Sequence, residues 1–269
     1  MRHPNYTVTL PSRWGWQVCL INDFFQANAL LTQGEWAPEE TMLLSGLIKP
    51  GWTVLDIGAN IGTMTVAFAR FVGQEGHVYA FEPQLYPHGC LGATVALNSM
   101  LHYVTPFKAA VGETIGEIPV PLLDPTKQTN FGGTSLQDKH TAPTEMVPML
   151  NVDSISLPDC HLIKADVEGM EGAVLRGAVK TIEKCRPLIW VEQLDHKEGS
   201  AAELKEFFKA HDYKAWKLAT HLYSPHNARG ERFNPFQYPD GTLMEDHNVI
   251  GVPHEDDPPE WVAKAEVFE

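Results

Sequence analysis

Three carboxylates stand close together in one short segment of the sequence, "IKADVEGMEG". They are Asp166, Glu168 and Glu171, and they come just after a run of apolar residues. Three chemistries are compatible with this spacing: a divalent-metal site built from oxygen ligands, an acid/base pair, or only the capped start of a helix. The choice among them depends on the elements that carry the segment.

The residues around this segment indicate a strand that runs into a helix. "HLIKADVEG" is typical of a short buried strand, and "EGAVLRGAVKTIEKCR" is typical of the helix after it. Asp166 then ends the strand, where parallel sheets bind ligands, and we expect it to have a functional role. Glu171 falls in the first turn of the helix, where a carboxylate complements the macrodipole. Glu168 is predicted to be either a second base or a cap that binds the backbone.

A second candidate site follows the predicted strand in "WTVLDIGANIG". Gly58 and Gly62 allow a tight turn and a close approach of a ligand to the backbone. The dinucleotide-binding fingerprint is not met, because Asn60 and Thr63 replace its second and third glycines. Asp56 would repel a pyrophosphate, but it suits a ligand that carries an ammonium and a sulfonium group. This turn therefore favours S-adenosylmethionine.

Glu82 ends the next predicted strand, in "HVYAFEP", and Pro83 follows it. An acidic residue at this position accepts hydrogen bonds from ribose hydroxyls. NAD would use it in the same way, so Glu82 alone predicts a nucleoside ligand without choosing the cofactor. Together with Asp56 and the glycine turn, it points to S-adenosylmethionine.

The elements that position these residues alternate along the chain as strand and helix. Further strands are predicted in "VTPFKAAVG", "LIWVEQ", "KAWKLA" and "NVIGVP", and further helices in "TMTVAFARFVG", "LYPHGCLGATVALNSM" and "AAELKEFFKAHDY". This alternation predicts an α/β fold with a doubly wound, mostly parallel, Rossmann-like sheet.

Less regular segments flank and interrupt the predicted core. Residues 1–50 form an N-terminal helical extension, in which "WAPEETMLLSGLI" is an amphipathic helix with Pro38 in its first turn. Residues 51–195 form the cofactor-binding core, and residues 113–159 interrupt it with loops and hairpins such as "EIPVPLL" and "EMVPMLNV". Residues 196–269 form the C-terminal part with an acidic tail, where "PPEWVAKAEVF" is predicted to be a short helix. The whole chain is interpreted as one domain.

The composition argues against several classes of partner. The 269 residues include 34 acidic and 20 basic residues, a formal charge of −14, so we expect no nucleic-acid partner and an uncharged or cationic substrate. The four cysteines have no metal-binding spacing and are expected to be reduced thiols. The sequence has no signal-peptide pattern and no apolar stretch of membrane-spanning length, so we expect a cytoplasmic protein with no membrane partner.

The motifs together resemble those of a known family. "TVLDIGANIG", "VYAFEP" and above all "LIKADVEGMEGAVLRGA", with "VDSISL" before it and "PLIWVEQ" after it, are similar to the FkbM family of S-adenosylmethionine-dependent methyltransferases. The resemblance covers residues 51–193, and "DHNVIGVP" is similar to that family's closing strand. It implies a class I methyltransferase fold, with a seven-stranded sheet whose last strand is antiparallel. It also implies O-methylation of a hydroxyl on a sugar, glycan or natural product.

Carried over position by position, the resemblance implies residues of the cofactor site. The cofactor turn of the family corresponds to Asp56, Gly58, Asn60 and Gly62, and its ribose-binding acid corresponds to Glu82. Further positions implied near the cofactor are Pro83, Asn98, Ala110 and Val111. In the N-terminal segment that such chains bring over the cofactor, the candidates are Gly34, Glu35 and Glu39.

Methyl transfer to a hydroxyl requires alignment of the reacting atoms and removal of one proton. Asp166 could accept that proton, contact the amino-acid portion of the cofactor, or bind a divalent metal. Metal binding would need further oxygen ligands, for which Asp153, Glu192 and Asp195 are candidates. The sequence has no dedicated metal-binding spacing, and we expect no obligatory metal.

A neutral histidine is the usual base near pH 7, and the sequence offers 12 histidines. The candidates near strand ends or in the C-terminal loops are His196, His221, His226 and His247. We expect His247 to be the base, because "EDHNVIG" approaches a strand. The catalytic residues predicted from sequence are therefore Asp166, Glu168 and His247.

Recognition of the acceptor is expected to depend on the irregular segments. These are "NFGGTS", residues 130–135, and the loop "ATHLYSPHNARGERFNPFQYPDG", in which Arg229 and Arg232 could bind an acidic acceptor. Two other functions are compatible with the motifs: an NAD-dependent oxidoreductase and a non-catalytic S-adenosylmethionine-binding protein. A homodimer is a further possibility that the sequence does not test.

Overall fold

A computed structural model describes residues 5–193 and 199–268 of the chain. Two of the predicted candidates, Asp195 and His196, lie outside the described residues. No helix among the described residues combines the length and apolar character that a membrane crossing requires.

The described residues form thirteen strands and seven α-helices. In chain order they are β1 Thr7–Pro11, β2 Trp16–Leu20, α1 Gln26–Thr32, α2 Pro38–Ser45, β3 Thr53–Ile57, α3 Thr63–Val72, β4 His77–Phe81, α4 Leu85–Leu97, β5 Val104–Phe107, β6 Ala110–Val111, β7 Gly116–Pro121, β8 Thr144–Leu150, β9 Leu162–Ala165, α5 Glu171–Arg176, α6 Val179–Cys185, β10 Leu188–Glu192, α7 Ser200–Ala210, β11 Tyr213–His221, β12 Glu245–Pro253 and β13 Glu266–Val267.

The central sheet has the order β13-β11-β12-β10-β9-β3-β4-β5. Strands β5, β4, β3, β9 and β10 are parallel, and β12 pairs with both β10 and β11 in the antiparallel sense. The predicted doubly wound α/β sheet with an antiparallel closing strand is thereby confirmed. An eighth strand, β13, extends the expected seven at the β11 edge.

The sheet is covered on both faces, which explains why its central strands are apolar throughout. In β3 every residue is buried, and its side chains alternate between the two faces. Val54 packs into a cluster that includes residues of α2, α3 and α4, whereas Leu55 and Ile57 pack into one that includes residues of α5, α6 and α7. Functional residues at the carboxyl ends of these strands therefore stand on a rigid base.

The N-terminal extension differs from the single helix that was predicted. Strands β1 and β2 form a hairpin, α1 follows them, and the predicted helix is α2, which begins at Pro38 as expected. Asn98 at the end of α4 holds the hairpin, because its side chain accepts from the Trp16 N–H at 3.0 Å and donates to the Trp16 carbonyl at 2.7 Å. The amphipathic pattern of one helix gave no indication of this long-range contact.

Two other elements differ from prediction, and the strands of the insertion agree with it. The segment "VTPFKAAVG" divides between β5 in the central sheet and β6 in a second sheet, where β6 pairs with β8 and β8 with β7. The tail segment predicted as a short helix instead leads into β13, where the Phe268 N–H donates to the Ala215 carbonyl. The strand pieces predicted in the insertion are confirmed as β7 and β8.

The single helix predicted after the Asp166 segment is two helices, α5 and α6. They separate at Gly177, where a Cβ would overlap the carbonyl oxygen of Gly112. The helix must end where this backbone passes over it, and only glycine leaves enough room.

We expect Gly177→Ala to lower the free energy of unfolding by about 1–3 kcal/mol, since the new methyl group meets a backbone atom that cannot move away cheaply. Gly89→Ala is the matched control, because Gly89 is an exposed position within α4 with open space around its Cβ. That substitution should stabilise the protein by about 0.5–1 kcal/mol. Urea unfolding of the two variants measures both changes, and equal stabilities would contradict the close approach at Gly177.

Candidate active site

A cavity opens at the carboxyl ends of β3, β4, β9 and β10. One part of its wall follows β3 and β4 and contains Gly58, Asn60, Glu82, Pro83, Gln84, Ala109, Ala110 and Val111. The other part contains Phe25, Gln26, Trp36, Asn130, Gly132, Gly133, Thr134, Asp166, Glu168, Met170, Glu192, Leu222 and Asp246.

The turn after β3 is built for close approach. Gly58 has φ +87°, and a Cβ there would overlap the Asp166 carbonyl oxygen of the neighbouring turn. Asn60 also has positive φ, and its N–H donates to Glu82 Oε2 at 2.9 Å. The buried Asn60 Oδ1 has no hydrogen-bond partner among the described residues. A buried polar atom of this kind on a cavity wall indicates a ligand that supplies the missing donor.

Glu82 is the centre of this part of the wall. Its two oxygens accept from the N–H groups of Asn60 and Gln84, at 2.9 and 2.8 Å, and the residue is only 3% exposed. Burial raises the pKa of Glu82 to about 7, although the two backbone donors act against this rise. A carboxylate fixed by the backbone at the cavity wall can accept hydrogen bonds from ligand hydroxyls.

Asp56 and Gly62 shape the turn from outside the cavity. Asp56 is fully buried beneath it, where Oδ2 accepts from the Thr65 hydroxyl at 2.5 Å and burial raises its pKa. Gly62 begins α3 with φ +88° and packs against Leu91. Neither residue lines the cavity, so the direct contact between Asp56 and a cationic ligand that the sequence predicted is not seen.

Of the remaining positions predicted near the cofactor, three line the cavity and one does not. Pro83, Ala110 and Val111 form part of the wall. Asn98 instead lies at the C-terminal end of α4, where its side chain is hydrogen-bonded to the backbone of Trp16. Gln84 was missed by the sequence analysis, although it lies two residues after Glu82, and its buried Oε1 has no partner among the described residues.

Four carboxyl groups form the other part of the cavity wall: Asp166, Glu168, Glu192 and Asp246. Burial raises the pKa of Glu192 well above its usual value, and the charges of Asp166 and Glu168 add to this rise. Burial likewise raises the pKa of Asp246, with contributions from Glu40 and Asp166. These two groups hold a proton to higher pH than ordinary carboxyl groups do.

Asp166 and Glu168 are held by specific contacts. The Lys164 Nζ donates to Asp166 Oδ2 at 2.9 Å. Glu168 has φ +54°, which is uncommon for a residue other than glycine, and its carbonyl accepts from the Ser135 hydroxyl at 2.7 Å. This bond ties the 130–135 segment of the insertion to the turn after β9.

Glu171 supports the same turn from within. It is the first residue of α5, as predicted, and its Oε1 accepts from the N–H groups of Val167 and Gly169 at 3.0 and 3.1 Å. It is almost fully buried and does not line the cavity. Its role is to close the turn rather than to face a ligand.

One carboxylate oxygen from each of Asp166, Glu168 and Glu192 lies within 4.8 Å of the others, a spacing that could hold a metal ion. Asp153 was another candidate metal ligand in the sequence. Its carboxylate instead accepts from the N–H groups of Lys180 and Thr181 at the start of α6. It is therefore a helix cap.

The cavity wall contains no histidine among the residues the structure describes. His247 is exposed, and it lies on the opposite face of β12 from Asp246, which lines the cavity. His221 bridges Glu39 and Glu245 at 2.8 and 3.0 Å, and His226 is exposed. The structure thus brings Asp166 and Glu168 together with Asp246 and Glu192, but not with His247.

The segments over the cavity match prediction only in part. Asn130, Gly132, Gly133 and Thr134 line it as expected, whereas Arg229 and Arg232 do not. From the N-terminal part, Phe25, Gln26 and Trp36 line it instead of the predicted Gly34, Glu35 and Glu39. Glu35 is ion-paired with Arg13 at 2.7 Å. No local signal marked Phe25 or Trp36, because long-range packing brings them to the cavity.

Comparison with solved structures agrees with this architecture. The FkbM methyltransferase of Methylobacillus flagellatus aligns with a TM-score of 0.51 at 18% identity, over 77% of this chain and 45% of that one. The chain thus spans less than half of that relative, which at this identity indicates the fold alone. An S-adenosylmethionine-dependent O-methyltransferase of Thermotoga maritima gives 0.46 at 11% identity, over 82% and 67% of the two chains. TYW2 of M. jannaschii, solved with AdoMet, gives 0.48 at 14%, over 94% and 87%.

Comparison by sequence is more specific. No protein of curated function matches the chain. The family model described as "Methyltransferase FkbM domain" matches residues 56–215, which is more than half of the 269 residues and includes the turns that carry Gly58, Glu82 and Asp166. The chain therefore belongs to the FkbM family of S-adenosylmethionine-dependent methyltransferases.

Proposed function

We propose that this methyltransferase transfers the methyl group to a hydroxyl of a sugar, glycan or natural product. The observation that carries the proposal is the set of four carboxyl groups, Asp166, Glu168, Glu192 and Asp246, on one part of the cavity wall. A hydroxyl nucleophile needs hydrogen-bond acceptors that orient it and one group that takes its proton. Carboxylates supply both.

The β3–β4 part of the wall fits S-adenosylmethionine. Glu82 would accept from the ribose hydroxyls, and the unpaired buried oxygens of Asn60 and Gln84 offer acceptors to further donors. Ala110 and Val111 provide an apolar surface for an adenine ring. When bound, the cofactor would supply a methyl group on a sulfonium, whose sulfur becomes a neutral thioether on transfer and so needs no acid catalysis.

On the acceptor side the carboxyl groups divide into two kinds. Asp166 is ion-paired with a buried lysine, which makes it a fixed hydrogen-bond acceptor. Glu192 and Asp246, with raised pKa values, take up a proton closer to neutral pH and are the better proton acceptors. We therefore propose Asp166 as the orienting group and Glu192 or Asp246 as the base. His247, an exposed residue on the opposite side of β12 from Asp246, has no support in this role.

The walls around these carboxyl groups suit a neutral hydroxylated ring. Phe25, Trp36 and Leu222 are apolar, and Asn130 and Thr134 add uncharged polar groups. No lysine or arginine lines the cavity within the described ranges, so the wall offers no partner for a phosphate or carboxylate on the acceptor. Apolar side chains can pack on the C–H faces of a ring whose hydroxyls bond to the carboxylates.

A panel of glycosides, reduced sugars and hydroxylated macrocycles, incubated with methyl-labelled S-adenosylmethionine, tests the proposal. We expect labelled methyl on an oxygen of at least one compound of the panel. Asp166→Asn should reduce the turnover of that compound about 100-fold or more, because the carboxylate that orients the hydroxyl is lost. Asp153→Asn is the matched control, since Asp153 caps α6 away from the cavity. It should lower stability and leave turnover nearly unchanged. Transfer only to nitrogen or carbon, or tight cofactor binding without transfer, would contradict the proposal.

A pH dependence follows from Glu82, whose pKa burial raises to about 7. Below that pH the unliganded group carries a proton, and above it the group is the anion that ribose hydroxyls favour. We therefore expect calorimetry to give an S-adenosylhomocysteine affinity about tenfold weaker at pH 6 than at pH 8. Glu82→Gln should bind weakly at both pH values, with a flat profile. A slope that survives in this variant would assign the titration to another group.

We expect that no metal is obligatory. The alternative is a metal ion bound by the carboxylate oxygens of Asp166, Glu168 and Glu192. We expect turnover to survive dialysis against EDTA, because a carboxylate already paired with Lys164 is a weaker ligand for a divalent ion. Loss of turnover that Mg²⁺ or Mn²⁺ restores would overturn this expectation. Cofactor affinity measured on the same dialysed sample controls for damage to the fold.

A further inference from the structure

Lys164 is a buried lysine that does not itself line the cavity. It is only 3% exposed, and it lies in β9 at the middle of the central sheet. Its neighbours across the sheet are Asp56 of β3 and Trp190 of β10. Lysines are seldom buried unless they are paired, so this position requires a reason.

The ammonium group of Lys164 lies next to the cavity edge, where it contacts Asp166. Its Nζ lies 2.9 Å from Asp166 Oδ2, and the two residues, two apart in sequence, share one face of the sheet. The Asp166 side chain is 38% exposed whereas that of Lys164 is 4% exposed. Lys164 therefore binds Oδ2 of Asp166 from the buried side of that residue. The other oxygen, Asp166 Oδ1, is left to bind a ligand.

Two more buried carboxyl groups act on Lys164 through their charge. Asp56 is fully buried, and Glu40 of α2 is 4% exposed. Burial alone would lower the pKa of Lys164, but Asp166, Glu40 and Asp56 together raise it above its usual value. The ammonium thus stays charged, with Asp166 in direct contact and Glu40 and Asp56 acting through their charge.

We propose that Lys164 is a positioning residue, which fixes the Asp166 carboxylate in the rotamer that presents Oδ1 to the acceptor. The inference rests on the proposed function, in which Asp166 orients the acceptor hydroxyl. An unpaired aspartate at the exposed end of a strand samples several rotamers, and it must give up that freedom each time an acceptor binds. The ion pair restricts it in advance, so less entropy is lost in forming the reactive arrangement.

The decisive experiment is the crystal structure of Lys164→Met, with S-adenosylhomocysteine affinity as the test of folding. We expect the Asp166 carboxylate to leave its rotamer or to occupy two of them, and the cofactor affinity to change less than about threefold. With the acceptor from the panel, kcat should fall about tenfold or more. Lys180→Met, at an exposed position of α6, is the matched control and should change none of these quantities.

Removal of Lys164 leaves two buried carboxyl groups without their cation, which could prevent folding. In that case Lys164→Met combined with Glu40→Gln, which removes one of the two charges, takes its place in the same measurements. A folded variant that keeps both the Asp166 rotamer and kcat would overturn the inference. Failure of the wild-type protein to methylate any hydroxyl would overturn the proposed function instead, and the rotamer in the crystal would still decide the role of Lys164.

Discussion

The arrangement of the site depends on one backbone contact, between the turns that end strands β3 and β9. The Asp166 N–H donates to the Ile57 carbonyl at 3.0 Å, and Gly58 lies so close to the Asp166 carbonyl that no Cβ fits between them. In the proposed function the turn after β3 contacts the cofactor and Asp166 faces the acceptor, so this contact joins the two binding positions directly. Methyl transfer requires the reacting atoms of the two bound molecules to be aligned within a fraction of an ångström. The contact between the two turns fixes the distance between the positions that those molecules would occupy.

A second constraint is the burial of charge on one face of the sheet. Two charged residues on this face, Asp56 and Lys164, are neighbours within the sheet, below the cavity. The cavity edge on the same face carries Asp166, Glu192 and Asp246. Lys164 is paired with Asp166. The two other edge carboxyl groups have raised pKa values because burial and neighbouring charges disfavour their ionised forms. One face of one sheet thus carries an ion-paired carboxyl group beside two whose pKa values are raised, an arrangement that can separate binding from proton transfer.

The parts of the fold that the sequence predicted are those with local signals. The strand ends at Gly58, Glu82 and Asp166 were located because β-branched runs meet turn residues there. Asp246 was missed because alternation in β12 gives two faces, both buried along most of the strand, and the sequence does not say which one turns toward the cavity. The break at Gly177 was missed for another reason: it depends on Gly112, a contact far away in the chain.

Several cavity residues that local signals did not predict lie outside the segment that the family model matches. The family model matches residues 56–215, and that segment holds the cofactor turn, Glu82 and Asp166. Phe25, Trp36, Leu222 and Asp246, which form much of the acceptor side, lie outside it. Membership of the family therefore accounts for the cofactor. We propose that the N-terminal and C-terminal segments that fold over the sheet edge select the acceptor together with Asp166, Glu168 and Glu192. Those segments reach the cavity only through tertiary packing, such as that of Phe25 and Trp36 against Phe236, so the acceptor must be inferred from the assembled cavity rather than from any motif.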